Sequence, residues 1–342
     1  MSFPQVYLSR PSVALPEQRL DNDEVLRRIR AAFRGDEAVW PIIEAGVRTV
    51  FARCNSRYRY IEADQEKSPG MFASEAARTC LEANGVTPGD VDLLIYGGIA
   101  REYFEPATAM EVAARIGIET VHAFDVTSAC VGMLEAVHIA CGHFALHPEY
   151  KTALIVSAEL TRRFLSYDIQ SPEELVHKVA GLTIGNAAAA WLIRRDPLPA
   201  GSMRILGGAN FSRPAHWVLC QAPIDGSFTS FSQELFKLNS YVPPELVRFL
   251  GTLGWKVTDV DHYVAHQPSD HMVQKVLADM GVDPERAVRI HHLYANTAST
   301  TVAMAMHHLF ETTTVKPGDR MVLTGAAAGF SLVSIAGTWQ QG

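Results

Sequence analysis

The stretch TPGDVDLLIY, residues 87–96, is echoed by KVTDVDHYVA, residues 256–265, at an offset of 169. A second pair keeps nearly the same interval: TALIVSA at 152–158 and RMVLTGA at 320–326, 168 apart. Chance likeness between apolar strands is the competing reading, and the shared interval weighs against it, because repeats are judged on a fixed period. The chain therefore reads as two similar halves. The division falls in RRDPLPAGSM, 194–203, where charges, two prolines and a glycine interrupt the pattern. That gives an N-terminal half, 1–196, and a C-terminal half, 197–342.

Both repeated pieces sit in an alternation of strand and helix patterns. Strands are expected at 91–98, 122–126, 152–158, 187–193, 262–266 and 320–326. They are rich in Val, Ile and Leu with little alternation, the signature of strands covered on both faces. Helical segments such as FASEAARTCLEANG, 72–85, place a glycine where a helix C-cap is expected. The fold class is α/β with helix-covered sheets.

The composition bounds the function. With 342 residues, 48% of them hydrophobic, the chain can bury a large core. A formal charge of −7 argues against nucleic-acid binding, whose footprint is basic. The five cysteines are scattered without C-x-x-C spacing, so a disulfide framework or zinc ribbon is not expected and a reducing cytoplasm fits. The opening MSFPQVYLSRPSVALPEQRL lacks the apolar run of a secretion signal, and no stretch approaches the roughly 20 apolar residues of a membrane span.

One cysteine is placed for chemistry. FDVTSACVGMLEAVHIA, 124–140, runs from an apolar strand through Cys130 into a helix. A helix N-terminus lowers a thiol's pKa and so favours the nucleophilic thiolate; the plain alternative is a small buried hydrophobe. A nucleophile also needs a base and an orienting group. His266 ends a strand in VAHQPSDHM, and Asn296 precedes a helix in HHLYANTASTTVAMAMHHL. Alone, each is unremarkable: a hydrogen-bonded neighbour and an N-cap. In the repeat frame they converge with Cys130 on one centre. The histidine pairs 291/292 and 307/308 point about 100° apart on a helix and share no ligand face, so no metal site is read there. GAAAGF lacks the GxxxxGK[ST] pattern of a phosphate loop.

FDVTSACVGMLEAVHIA, VAHQP, ANTAS and the terminal LTGAAAGFSLVSIAGTW together resemble the condensing enzymes of the thiolase superfamily, in the ketoacyl-ACP synthase III (FabH-like) group. AREYFEPATA, 100–109, and AGLTIGNAAAAWLI, 180–193, resemble its OleA-like branch. The resemblance implies a five-layered αβαβα thiolase fold, a homodimer and no cofactor, with acyl-CoA or an acyl carrier protein as donor. It implies that Cys130 carries the acyl group as a thioester. His266 and Asn296 would hold the second thioester's oxygen as an enolate, and backbone N–H groups of Cys130 and Ala328 would form the oxyanion hole. Glu105, between Phe104 and Pro106, would be the base that removes an α-proton; a solvated loop carboxylate near the dimer interface is the alternative.

Several features depart from the group. HQPSDHM lacks the asparagine and the carrier-docking arginine that often continue this motif in the group, with Ser269 and Asp270 in that region, which favours acyl-CoA or a different partner. GAAAGF replaces a run of glycines, and GNAA stands where GDGA is common. Trp40 has the spacing of an adenine-stacking tryptophan, but Glu44 stands where an arginine is expected, so a buried or interface role fits it better. Arg27 and Arg28, in RRIRAAFR, could meet CoA phosphates or form a solvated helix face. Two further functions remain in view. One is acyl transfer from the cysteine to an alcohol or amine; the other is a non-catalytic subunit of a heterodimeric synthase, which need not retain a nucleophile.

Overall fold

The structure, a computed structural model, describes residues 3–160, 162, 165–224 and 228–342. Strands Leu93–Tyr96 and His262–Ala265 open the two repeats. Each pairs in parallel with a longer strand, Thr152–Glu159 and Arg320–Ala327, in one register: Leu93 faces Ala153 and His262 faces Met321. The turns before them match too. Asp90 Oδ2 accepts the Thr87 N–H at 2.9 Å, and Asp259 Oδ2 accepts that of Lys256 at 2.9 Å.

A short N-terminal strand, Tyr7–Ser9, joins the halves. It pairs antiparallel with Ala187–Arg194 on one side and with Ser202–Ser212 on the other. One ten-stranded sheet results, bounded by His262–Ala265 at one edge and His122–Asp125 at the other. Thr152–Glu159 is buried at every position, as expected for a strand covered on both faces.

Three apolar clusters define five layers. The outer face of the first half packs Leu94, Leu154, Val156 and Leu192 against Phe72, Ala76 and Val112 from helices Pro69–Ala83 and Thr108–Ile116. The outer face of the second half packs Tyr263 and Val322 against Leu246, Phe249 and Val273 from helices Val242–Thr252 and Asp270–Asp279. Between the halves lie helices Gly132–Leu146 and Thr301–Thr312, contacting Ile95, Ile155, Val264 and Leu323. The segment Ala129–Leu146, with a mean hydropathy of 1.5, has the length and composition of a membrane span; here its apolar surface is spent on this middle layer. The helix expected at 72–85 spans Pro69–Ala83, capped by Ser68 and followed by Gly85 at φ +62°.

Two long strands were not anticipated. Ser202–Ser212 and Ser331–Gln340 pair antiparallel through a register shift at Ala336/Gly337. Serines and glycines dilute their apolar content, so neither looks like a strand by composition.

Candidate active site

Strand His122–Asp125 leads to a 3-10 turn, Ala129–Val131, and then to the central helix. Ala129 holds φ +45°, a left-handed conformation that L-residues rarely adopt. The backbone here runs very close to that of Gly97: a Cβ on Gly132 would lie 2.6 Å from the Gly97 carbonyl oxygen. Cys130 is partly exposed at this bend. Its thiol is pushed up, foremost by desolvation, then by the fields of Cys220 and Glu159. This is opposite to the lowering expected at a helix N-terminus: loss of solvation outweighs the one opposing contribution, a backbone hydrogen bond.

His266 follows directly on strand His262–Ala265, its N–H donating to the Thr324 carbonyl at 2.8 Å. Its Nε2 lies 3.3 Å from Asn296 Oδ1. The same oxygen accepts the Ala298 N–H at 2.9 Å and the Thr301 hydroxyl at 3.3 Å, which turns the amide nitrogen of Asn296 away from these donors. Burial lowers the His266 pKa to about 4, with His291 adding to it and Asn296 and the Ala326 backbone opposing. The ring is therefore neutral near pH 7. Asn296 is also tied to the first half, its N–H donating to the Thr183 carbonyl at 2.9 Å.

Gly325 brings the two sets together. A Cβ there would stand 2.8 Å from Val131 Cγ1 and 3.0 Å from His266 Cβ, so the histidine and the turn that carries Cys130 are separated by little more than a methyl group. The turns Ala129–Val131 and Ala298–Thr300 also pack against each other. Ala298 repeats the positive φ of Ala129, at +49°.

The remaining expected residues lie elsewhere. Glu105 is exposed, beside Phe104 at 80% exposure, on the loop before helix Thr108–Ile116. It does not occupy the apolar pocket expected for a desolvated base within one protomer. The Asp125 carboxylate anchors that helix, accepting the N–H groups of Thr108 and Ala109 at 2.9 Å each. Ala328 is half-buried in the turn after strand Arg320–Ala327, two residues beyond Ala326. Trp40 packs on Phe33 with ring centroids 5.6 Å apart, and the Arg30 guanidinium lies over its ring. Arg27 and Arg28 pair with Glu24 at 2.7 and 2.9 Å. Their role here is on the helix surface.

Two groups beside the centre were not singled out in sequence. Ser299 occupies the turn that mirrors the one carrying Cys130. Glu159 ends a buried strand, and its only sequence signal is a carboxylate directly after an apolar run.

Known proteins bear on this geometry. Residues 250–339 match the family model described as 3-oxoacyl-[acyl-carrier-protein] synthase III C terminal. An acyl-CoA:acyl-CoA alkyltransferase of Xanthomonas campestris is 28% identical over 284 residues, covering 81% of this chain and 84% of that protein. A beta-ketoacyl-[acyl-carrier-protein] synthase III of Rhizorhabdus wittichii is 27% identical over 330 residues, covering 93% and 94%. A crystal structure of Xanthomonas campestris OleA superposes with a TM-score of 0.90 at 23% identity, covering 99% of this chain and 98% of the other. That last likeness speaks to the fold.

Proposed function

We propose that this chain, similar to FabH-like condensing enzymes of the thiolase superfamily, joins two acyl-CoA molecules head to head through an acyl-cysteine at Cys130. The observation that carries this is the His266–Asn296 pair, 3.3 Å apart, set by the second half against the nucleophile turn of the first. The halves 1–196 and 197–342 thus divide the labour: one supplies the sulfur, the other the polar groups that hold an enolate.

The steps follow from the residues. The Cys130 thiolate attacks the first thioester carbonyl and CoA thiol leaves, taking up a proton. The second thioester loses its α-proton to a carboxylate, and its oxygen is held by neutral His266 and the Asn296 amide. The resulting carbanion attacks the acyl-cysteine, expelling the Cys130 thiolate and leaving a 3-oxoacyl thioester. The N–H groups of Cys130 and Ala328 would hold the oxyanion, each contributing about 3 kcal/mol to lowering the barrier. Acyl-CoA is favoured over a carrier protein by Ser269 and Asp270, which stand where carrier-docking groups are usual, and by the acyl-CoA substrate in the name of the Xanthomonas relative.

Glu105 fits the base only if something buries it. Among the described residues, the edge strand His122–Asp125 has no neighbour on its outer side in this sheet, and Tyr103, Phe104 and Met110 are exposed nearby. A second copy seated on this edge would cover them and bring the carboxylate into an apolar setting. The protein is read as a homodimer in a reducing cytoplasm, in keeping with its five free cysteines.

The test supplies a single acyl-CoA, with and without a malonyl donor, and identifies products by mass spectrometry. A 3-oxoacyl product from acyl-CoA alone, lost in Glu105→Gln, supports the reading. Product formed only with the malonyl donor removes the role of Glu105, and C–O or C–N products remove condensation.

A further inference from the structure

The strand Thr152–Glu159 ends in a carboxylate that meets almost no solvent: Glu159 is 3% exposed. Three donors converge on it. The Ile99 N–H and the Ser299 hydroxyl reach Oε1 at 3.0 and 2.5 Å, and the Ala100 N–H reaches Oε2 at 3.2 Å. A carboxyl group whose partners all donate is satisfied as an anion. Burial raises its pKa, and these bonds oppose the rise only in part.

Its partners give the position meaning. Ser299 is the middle residue of the turn Ala298–Thr300, as Cys130 is of Ala129–Val131. Ser299 follows Ala298, whose N–H fixes Asn296 Oδ1, the oxygen that also contacts His266. Ile99 and Ala100 open the loop that carries Glu105, and the Ala100 carbonyl accepts the buried Tyr96 hydroxyl at 2.5 Å. One side chain therefore grips elements of both halves next to the reacting groups.

We propose that Glu159 is a positioning residue for condensation: its buried carboxylate ties the second half's turn at Ser299 to the first half's loop at 99–100, and so holds Asn296 and His266 in register with Cys130. This rests on the roles given above to His266 and Asn296. The carboxylate also opposes thiolate formation at Cys130, which provides a readout independent of the reaction.

The experiment compares Glu159→Gln and Ser299→Ala in the full chain, with thermal melting to confirm folding. In single-turnover assays, both variants should acylate Cys130 within roughly threefold of wild type yet condense at least about tenfold more slowly, as a sub-ångström misplacement would cause. Alkylation of Cys130 by iodoacetamide, followed against pH, should move to lower pH by about half a unit in Glu159→Gln only. Condensation at the wild-type rate overturns the proposal, as does equal loss in both half-reactions. Should Glu159→Gln not fold, Ser299→Ala decides by the same criterion. If wild type forms no C–C product at all, the proposed function fails by itself, and an unmoved alkylation profile then overturns the link between Glu159 and the site.

Discussion

Ala129 and Ala298 hold the same backbone conformation, φ +45° and +49°, each at the start of a 3-10 turn that feeds a helix of the middle layer. The duplication has thus kept a costly local geometry twice. In one copy the next residue is Cys130, the proposed nucleophile; in the other it is Ser299, bound by Glu159. A left-handed alanine costs roughly 1–2 kcal/mol.

Ala129→Gly should therefore be tolerated, with stability within about 1 kcal/mol of wild type. Ala129→Val should lose about 2 kcal/mol or more, because a branched side chain fits this region poorly. It should also lose acylation of Cys130. Urea unfolding and intact-protein mass spectrometry check both, and a fully active Ala129→Val would contradict the strain argument.

Gly325 offers a second probe. Gly325→Ala sets a methyl against Val131 and His266 at 2.8 and 3.0 Å, an overpacking worth about 1–3 kcal/mol. Condensation should fall further than acylation, since the displaced group is the histidine. Gly142, exposed in the central helix with nothing within 4 Å of a built Cβ, is the control: Gly142→Ala should stabilise by about 0.5–1 kcal/mol.

Asn296→Ala removes the oxygen shared by His266, Ala298 and Thr301. Condensation from pre-acylated enzyme should drop by about 10²–10³, the range for loss of an oxyanion donor. Acylation should change little. Equal losses in the two half-reactions would show that Asn296 serves the turn and not the enolate.

The pH dependence has a definite sign. His266 and His291 both have pKa values lowered to about 4 by burial, whereas an unfolded histidine titrates near 6.5. Between these values the unfolded chain binds more protons, so stability should fall as pH drops from about 6.5 towards 4. Urea midpoints at pH 7, 6 and 5 test this, with a flat series as the contrary result. Condensation by pre-acylated enzyme should hold steady down to about pH 5, because the working imidazole is neutral.

Much of this was readable from residues. The strands at 91–98, 152–158, 187–193 and 320–326 form within a few residues of their expected limits, because unbroken apolar runs suit a sheet covered on both faces. The repeat also led to the expectation that Cys130, His266 and Asn296 share one centre, and the 3.3 Å approach of His266 to Asn296 is in keeping with it. Other features were illegible for physical reasons. Ser202–Ser212 hides behind Gly207 and Gly208, and a carboxylate after an apolar run, as at Glu159, usually signals solvent. The direction of the Cys130 shift depends on burial, which no local motif reports. The exposure of Glu105 reflects a surface that a second copy would have to cover.

The most direct test is the intact mass of the protein after exposure to a fatty acyl-CoA. The expected result is one acyl adduct on wild type, mapped to Cys130, that is absent in Cys130→Ala together with all C–C product. An adduct of the same mass on Cys130→Ala, or product formed without the sulfur, would contradict the acyl-cysteine on which every later step depends.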